Sequence, residues 1–189
     1  MSSALQFLKV AVRNPTQISN LWKTSPFTVR KLLSPLKADG YCRVLELGAG
    51  VGTLTYTINK IIKNKNNYIG IEINEGFFQF LTKSYPELKF YSASVEAIEE
   101  ICNHQKFDLI ISTLSWFNLD SAVQENILVQ IKAHLEKGGY FKTYLFVTHL
   151  FFKDGREFQK KLYDKFNVDT SYEFLNFPPI KIFECRLKK

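Results

Sequence analysis

The feature that most constrains this chain is a glycine loop set between an apolar strand and an amphipathic helix. Residues 43–47 read as a short buried strand, and residues 52–63 as a helix with Leu54, Ile58, Ile61 and Ile62 on one face. Between them runs Glu46-Leu47-Gly48-Ala49-Gly50-Val51-Gly52. Glycines there permit a tight turn and let a ligand approach the backbone. In a doubly wound sheet the first strand–helix turn lies at the ligand crevice. A dinucleotide loop would read GxGxxG, with pyrophosphate on the helix N-terminus. Here the spacing is GxGxG, Thr53 takes the place of that third glycine, and the Glu46 carboxylate would repel a pyrophosphate. The same carboxylate suits a cation such as the amino group of methionine, so the loop fits a sulfonium nucleoside better than a dinucleotide. Glu72 closes the next strand, 20 residues after Gly52. An acid at that position accepts hydrogen bonds from ribose hydroxyls.

The rest of the chain repeats the alternation. Strands are expected at 68–73, 88–91, 107–112 and 140–147, and helices at 76–84, 95–102, 121–135 and 155–165, with Gly138-Gly139 ending the 121–135 helix. Asp120 is expected to cap that helix. Strands separated by helices imply right-handed crossovers and a parallel sheet. Two last strands, 167–174 and 180–187, have only a short connection around Pro178-Pro179 and are expected to pair antiparallel at one edge. The expected fold is α/β: a Rossmann-like, seven-stranded, mostly parallel sheet with an antiparallel edge hairpin. Residues 1–40 form an N-terminal helical extension, and 41–189 the domain proper.

Charge separates these two parts. The chain carries +7 overall, of which +5 falls in residues 1–40, where Lys9, Arg13, Lys23, Arg30, Lys31 and Lys37 face only Asp39. A local excess points to docking on an anionic surface rather than to general nucleic-acid affinity. Residues 4–13 read as a helix with Leu5, Leu8 and Val12 on an apolar arc and Lys9 and Arg13 on its flank, a pattern suited to a membrane interface or to packing on the domain. A second helix is expected at 26–37. No apolar run reaches the roughly 20 residues of a membrane span, and the start lacks a signal-peptide pattern. Three scattered cysteines and three scattered histidines suggest neither a disulfide framework nor a metal site. The expected location is cytoplasmic, peripherally associated with the inner face of the cell membrane.

The run ELGAGVG with the later Glu72-Ile73-Asn74 resembles motifs I and II of class I S-adenosylmethionine methyltransferases. That resemblance implies S-adenosyl-L-methionine as cofactor. It assigns Glu46, Gly48, Gly50 and Gly52 to the methionine end, Glu72 to the ribose, and Ser94-Val95 to the adenine. Ala49, Thr53, Ile73 and Ser112 complete the candidate cofactor contacts. The family often has an acid near 93, where this chain has Ala93-Ser94 and then Glu96.

The fourth strand leads into Ser112-Thr113-Leu114-Ser115-Trp116-Phe117-Asn118. It lacks the proline of the [DNS]PP[YFW] motif of base-methylating enzymes, which argues against a nucleic-acid acceptor. A narrower likeness extends over most of the chain. The amphipathic start with Arg13-Asn14-Pro15, Thr24-Ser25-Pro26, the STLSWFNL segment and Asn176-Phe177-Pro178-Pro179 are similar to small bacterial phospholipid N-methyltransferases. That likeness implies methylation of the amine of phosphatidylethanolamine or a similar phospholipid. Trp116, Phe117 and Asn118 are the candidate acceptor residues, since aromatic faces attract ammonium groups. No catalytic base stands out. A small amine, a quinone-like lipid or an RNA adenine are the alternative acceptors, and a non-catalytic membrane-binding scaffold is the alternative to an enzyme.

Overall fold

A computed structural model describes residues 24–36, 40 and 42–188. The expected helix at 4–13, with its membrane-binding candidates Leu5, Leu8, Lys9, Val12 and Arg13, lies outside the described residues. The first described helix, α1 (Pro26–Leu32), is shorter than the 26–37 expected. Ser25 caps it, its hydroxyl accepting from the Thr28 amide, and Pro26 stands in the first turn, where no amide donor is needed. Val29, Leu32 and Leu33 are buried in the same apolar cluster as Val44, Ile58 and Leu109, so α1 packs on the domain.

The remaining elements are β1 (Val44–Leu47), α2 (Thr53–Ile61), β2 (Tyr68–Glu72), α3 (Glu75–Ser84), β3 (Lys89–Ser92), α4 (Ile98–Cys102), β4 (Phe107–Ser112), α5 (Ser121–His134), β5 (Leu135–Phe146), α6 (Lys153–Lys165), β6 (Phe166–Glu173) and β7 (Ile180–Leu187). The seven strands lie in the order β3-β2-β1-β4-β5-β7-β6. Strands β1 to β5 pair in parallel, and β7 runs antiparallel between β5 and β6. Two apolar clusters flank the sheet. One holds Trp116, Ile127, Leu128, Phe158 and Phe183, the other Leu32, Ile58, Tyr68 and Leu81. Every residue of β1 and β2 is buried, as expected for central strands covered on both faces.

One boundary differs from the sequence expectation for a physical reason. Gly138 and Gly139 do not end α5; they lie inside β5. The helix stops at His134, whose ring hydrogen-bonds to the Gln105 carbonyl and the Glu99 carboxylate. Leu135 then enters the sheet directly, opposite Phe107. The register shifts before Leu109 pairs with Tyr140. At Gly139 the β4 backbone comes so close that a Cβ would meet the Asp108 carbonyl at 2.9 Å. These glycines serve a β-bulge. No helix among the described residues is long and apolar enough to cross a membrane.

Candidate active site

The C-terminal ends of β1, β2, β4 and β5 share one edge of the sheet, and a cavity of about 450 Å3 opens there. Its floor is the β1–α2 loop. Gly48 and Gly50 both take positive φ, +75° and +56°. A Cβ on Gly48 would meet Leu114 Cδ2 at 2.9 Å, so glycine is required there on two counts. The Thr113 hydroxyl donates to the Gly48 carbonyl at 2.7 Å and ties this loop to the end of β4.

Two acids line the cavity. The Glu46 side chain is buried, and its Oε2 accepts from the Thr55 hydroxyl at 2.8 Å and the Tyr68 hydroxyl at 2.7 Å. Burial pushes its carboxyl up to about 7, against those two hydrogen bonds, which pull it down. A buried carboxylate held by two neutral donors lacks the cation that would compensate its charge. An ammonium entering the cavity supplies one. Glu72 is also buried; its Oε2 accepts from the Gly50 amide and its Oε1 from the Asn74 amide, both at 2.8 Å. Burial raises its carboxyl too, countered by those amides. Glu72 therefore holds the glycine loop in shape while its carboxylate borders the cavity. Asn74, by accepting from the Phe77 amide at 3.1 Å, starts α3 and brings Phe77 to the wall.

The structure gathers Glu46, Gly48, Ala49, Gly50, Thr53, Glu72, Ile73, Ser94, Val95 and Asn118 around this one cavity. Four other candidates stand elsewhere. Gly52 is the left-handed N-cap of α2, at φ +77°, against Leu81 and Tyr85. Ser112 is fully buried, its carbonyl accepting from the Thr143 hydroxyl. Trp116 is a core residue rather than an acceptor contact. It is 0 % exposed, stacks on Phe158 at 4.5 Å, and donates its Nε1 hydrogen to the Thr143 hydroxyl. Its apolar bulk and single donor are both satisfied inside. Phe117, one residue on, is not among the residues lining the cavity and stacks on His149 at 4.4 Å.

Sequence reading missed the wall opposite the glycine loop. Thr24, Leu114, Leu119, Asp120, Val123 and Tyr144 come from four separate segments. Asp120 occupies the N-cap position of α5 as expected, but its side chain makes no capping hydrogen bond. Tyr144 receives a hydrogen bond from Thr24, and burial raises its hydroxyl above the ordinary range. From Tyr144 a series of rings leads outward. Tyr144 meets Phe146 at 6.0 Å, Phe146 meets His149 at 5.4 Å, His149 stacks on Phe117, and Phe117 meets Phe152 edge-on at 5.8 Å. Burial lowers the His149 imidazole below its ordinary value, which disfavours a cation within this aromatic lane. Only Phe117 of its members was singled out from the sequence, because the others sit in strand β5 and the turn after it with no local motif.

Comparison with solved structures gives the same architecture throughout. A TehB-like SAM-dependent methyltransferase from Corynebacterium glutamicum superposes with a TM-score of 0.71 at 13% identity, covering 99% of this chain and 100% of that one. The N-methyltransferase NodS from Bradyrhizobium japonicum, in complex with S-adenosyl-L-homocysteine, gives 0.69 at 13% identity over 98% of each chain. Magnesium protoporphyrin IX methyltransferase from Synechocystis, with bound SAM, gives 0.65 at 17% identity over 85% of this chain and 78% of that one. No curated protein matches the sequence. A family model for a methyltransferase domain matches residues 38–173, which span β1 to β6 and all the cavity-lining residues but Thr24, and the chain belongs to that family.

Proposed function

We propose that the protein is an S-adenosylmethionine-dependent N-methyltransferase that methylates the amine head group of a phospholipid such as phosphatidylethanolamine, working peripherally on the cytoplasmic face of an anionic membrane. The observation that carries the acceptor class is the aromatic lane. It joins the cavity wall at Tyr144 to the surface at Phe152 through neutral ring faces. Ring faces favour an ammonium by about 0.5–2 kcal/mol each, and a cationic lane would repel it.

The cavity residues divide the work. Glu46 would hold the amino group of the cofactor's methionine and Glu72 its ribose, while Ile73, Ser94 and Val95 would flank the adenine. Bound there, S-adenosylmethionine supplies a methyl group already activated by its sulfonium. The chain's part is positioning, which by itself lowers a bimolecular barrier by several kcal/mol. An acceptor amine with a pKa near 10 must first lose a proton, at about 4 kcal/mol at pH 7. Asn118 and Asp120 border the cavity on the acceptor side, and Asp120, unused as a cap, is placed to accept a hydrogen bond from the amine. Exposed Arg30 on α1, which shares a groove with Thr24, is the candidate counter-charge for a lipid phosphate, since its neighbour Lys31 is paired with Glu173 at 3.0 Å.

The test is direct. The enzyme is incubated with labelled cofactor and phosphatidylethanolamine vesicles, and the label is expected in the lipid fraction. Label entering RNA or a water-soluble amine instead overturns the lipid reading and leaves the cofactor reading in place.

A further inference from the structure

The edge of the sheet that carries the cavity also carries the most exposed large apolar side chains of the domain. The turn after β5 presents Phe151 and Phe152, 75 % and 56 % exposed. The β6–β7 loop presents Phe174, Leu175 and Phe177, at 72 %, 66 % and 74 %. The two segments are neighbours. Phe146 and Glu173, the last residues of β5 and β6, both pair with Ile180, the first of β7, and the Val147 amide donates to the Pro179 carbonyl at 2.9 Å. A contiguous patch of this kind marks a contact surface, because water is its most costly neighbour.

We propose that this rim inserts into the interfacial layer of an anionic lipid bilayer and so seats the cavity mouth on the membrane. The inference rests on the lipid-acceptor reading and gives it a residue-level docking surface. Two observations select a bilayer over another protein. The first is the cationic margin. The Arg156 guanidinium donates to the Phe151 carbonyl at 2.6 Å, at the foot of the patch. Exposed Arg30 lines the same groove as Glu173, the residue preceding Phe174. Aromatic side chains with basic residues beside them suit the boundary between acyl chains and anionic head groups. The second is where the N-terminal segment joins. Residues 1–23, with Lys9, Arg13 and Lys23, meet the described chain at Thr24, on the cavity wall at this same edge. The two attachments differ in kind: the N-terminal charges act through a screened field, and the rim acts by burying apolar surface.

Co-sedimentation of the full chain with phosphatidylethanolamine–phosphatidylglycerol vesicles, without added cofactor, separates them. The triple variant Phe151→Ser, Phe174→Ser, Leu175→Ser is expected to lose at least tenfold of the partitioning that survives 0.5 M salt, with unchanged cofactor affinity and melting temperature. A second probe does not depend on that variant folding. In a Trp22→Phe background, Phe151→Trp is expected to show a blue shift in emission on vesicle addition that Trp22→Phe alone, which keeps only the buried Trp116, does not show. Unchanged salt-resistant partitioning in the triple variant, or no shift for Phe151→Trp, overturns the proposal. A drop in solution mass of the triple variant with unchanged vesicle binding assigns the rim to a second copy. Vesicle binding that appears only after deletion of residues 1–23 assigns it to that segment. The lipid-acceptor reading fails separately, if label stays out of the lipid while partitioning behaves as stated.

Discussion

The two walls of the cavity are built on different principles. The β1–β3 side recognises its ligand through backbone. Positive φ at Gly48 and Gly50, amides caught by Glu72 and the cap at Asn74 set the shape, and two buried acids set the charge. The β4–β7 side is built from side chains: an aromatic lane, a tyrosine held by Thr24, and an unused carboxylate at Asp120. Backbone recognition needs a fixed local sequence. Side-chain recognition needs only that the right rings converge, from wherever in the chain they come. The first wall is therefore expected to fail abruptly when altered, and the second gradually.

The largest effect should come from the first wall. Gly50→Asp puts a side chain on a left-handed residue and a third carboxylate beside Glu46 and Glu72. Binding of S-adenosylmethionine or its demethylated product is expected to vanish in calorimetry while the melting temperature changes little. Retained binding would break the distinction between the walls.

Next comes Trp116→Ala, which shows that proximity in sequence to the second wall does not confer membership of it. The side chain is enclosed with its donor satisfied. Removing it is expected to cost about 3–5 kcal/mol of stability in chemical denaturation. Cofactor affinity, measured where the variant is folded, should stay near that of the wild type. A selective loss of turnover without loss of stability would return this residue to the acceptor site.

The charge of the first wall gives a pH signature. The Glu46 carboxyl sits at about 7, above the ordinary 4.5, because burial penalises its ionised form. The folded protein thus holds a proton that the unfolded chain releases. Stability from this group is complete below 4.5, falls as pH rises, and is gone above about 7. The difference amounts to about 3 kcal/mol, and Glu46→Gln should remove that slope. A cationic ligand needs the ionised form, so its affinity should rise about tenfold from pH 6 to pH 8 in the wild type. It should be flat and weak in Glu46→Gln.

Phe117→Ala is the mildest change. It takes one ring from the lane, stacked on His149, and is expected to raise KM for an amine acceptor by a factor corresponding to about 0.5–2 kcal/mol. Cofactor affinity should not move.

The same contrast explains what could be read from sequence. The strands β1 to β4 and the positions of Glu46, Gly48, Gly50 and Glu72 follow from local patterns, because glycine spacing and strand periodicity report backbone geometry directly. The sequence pattern at Gly138-Gly139 fits a helix end, and the structure makes it a bulge in β5. Glycine signals an unusual φ or a close approach, not which of the two is needed. Trp116 and Phe117 are adjacent, yet one is buried and the other faces the lane. The turn that separates them has no period to betray which side chain turns inward. Thr24 and Tyr144 meet across 120 residues, a contact that no local pattern encodes.

The placement of β7 between β5 and β6 has a consequence for the order of synthesis. On the ribosome, β5 and β6 are made before the strand that must lie between them, so neither has its final partner on that side until β7 emerges. Asn176, just before β7, accepts from the Ser25 amide and the Thr28 hydroxyl, and it is this contact that ties down the start of α1 beside Thr24. The glycine loop, its two acids and the Thr113 that ties the loop down are all made before β5. The acceptor wall is completed only once β7 and the loop before it have been made. The cofactor side of the cavity is therefore synthesised ahead of the side that meets the acceptor.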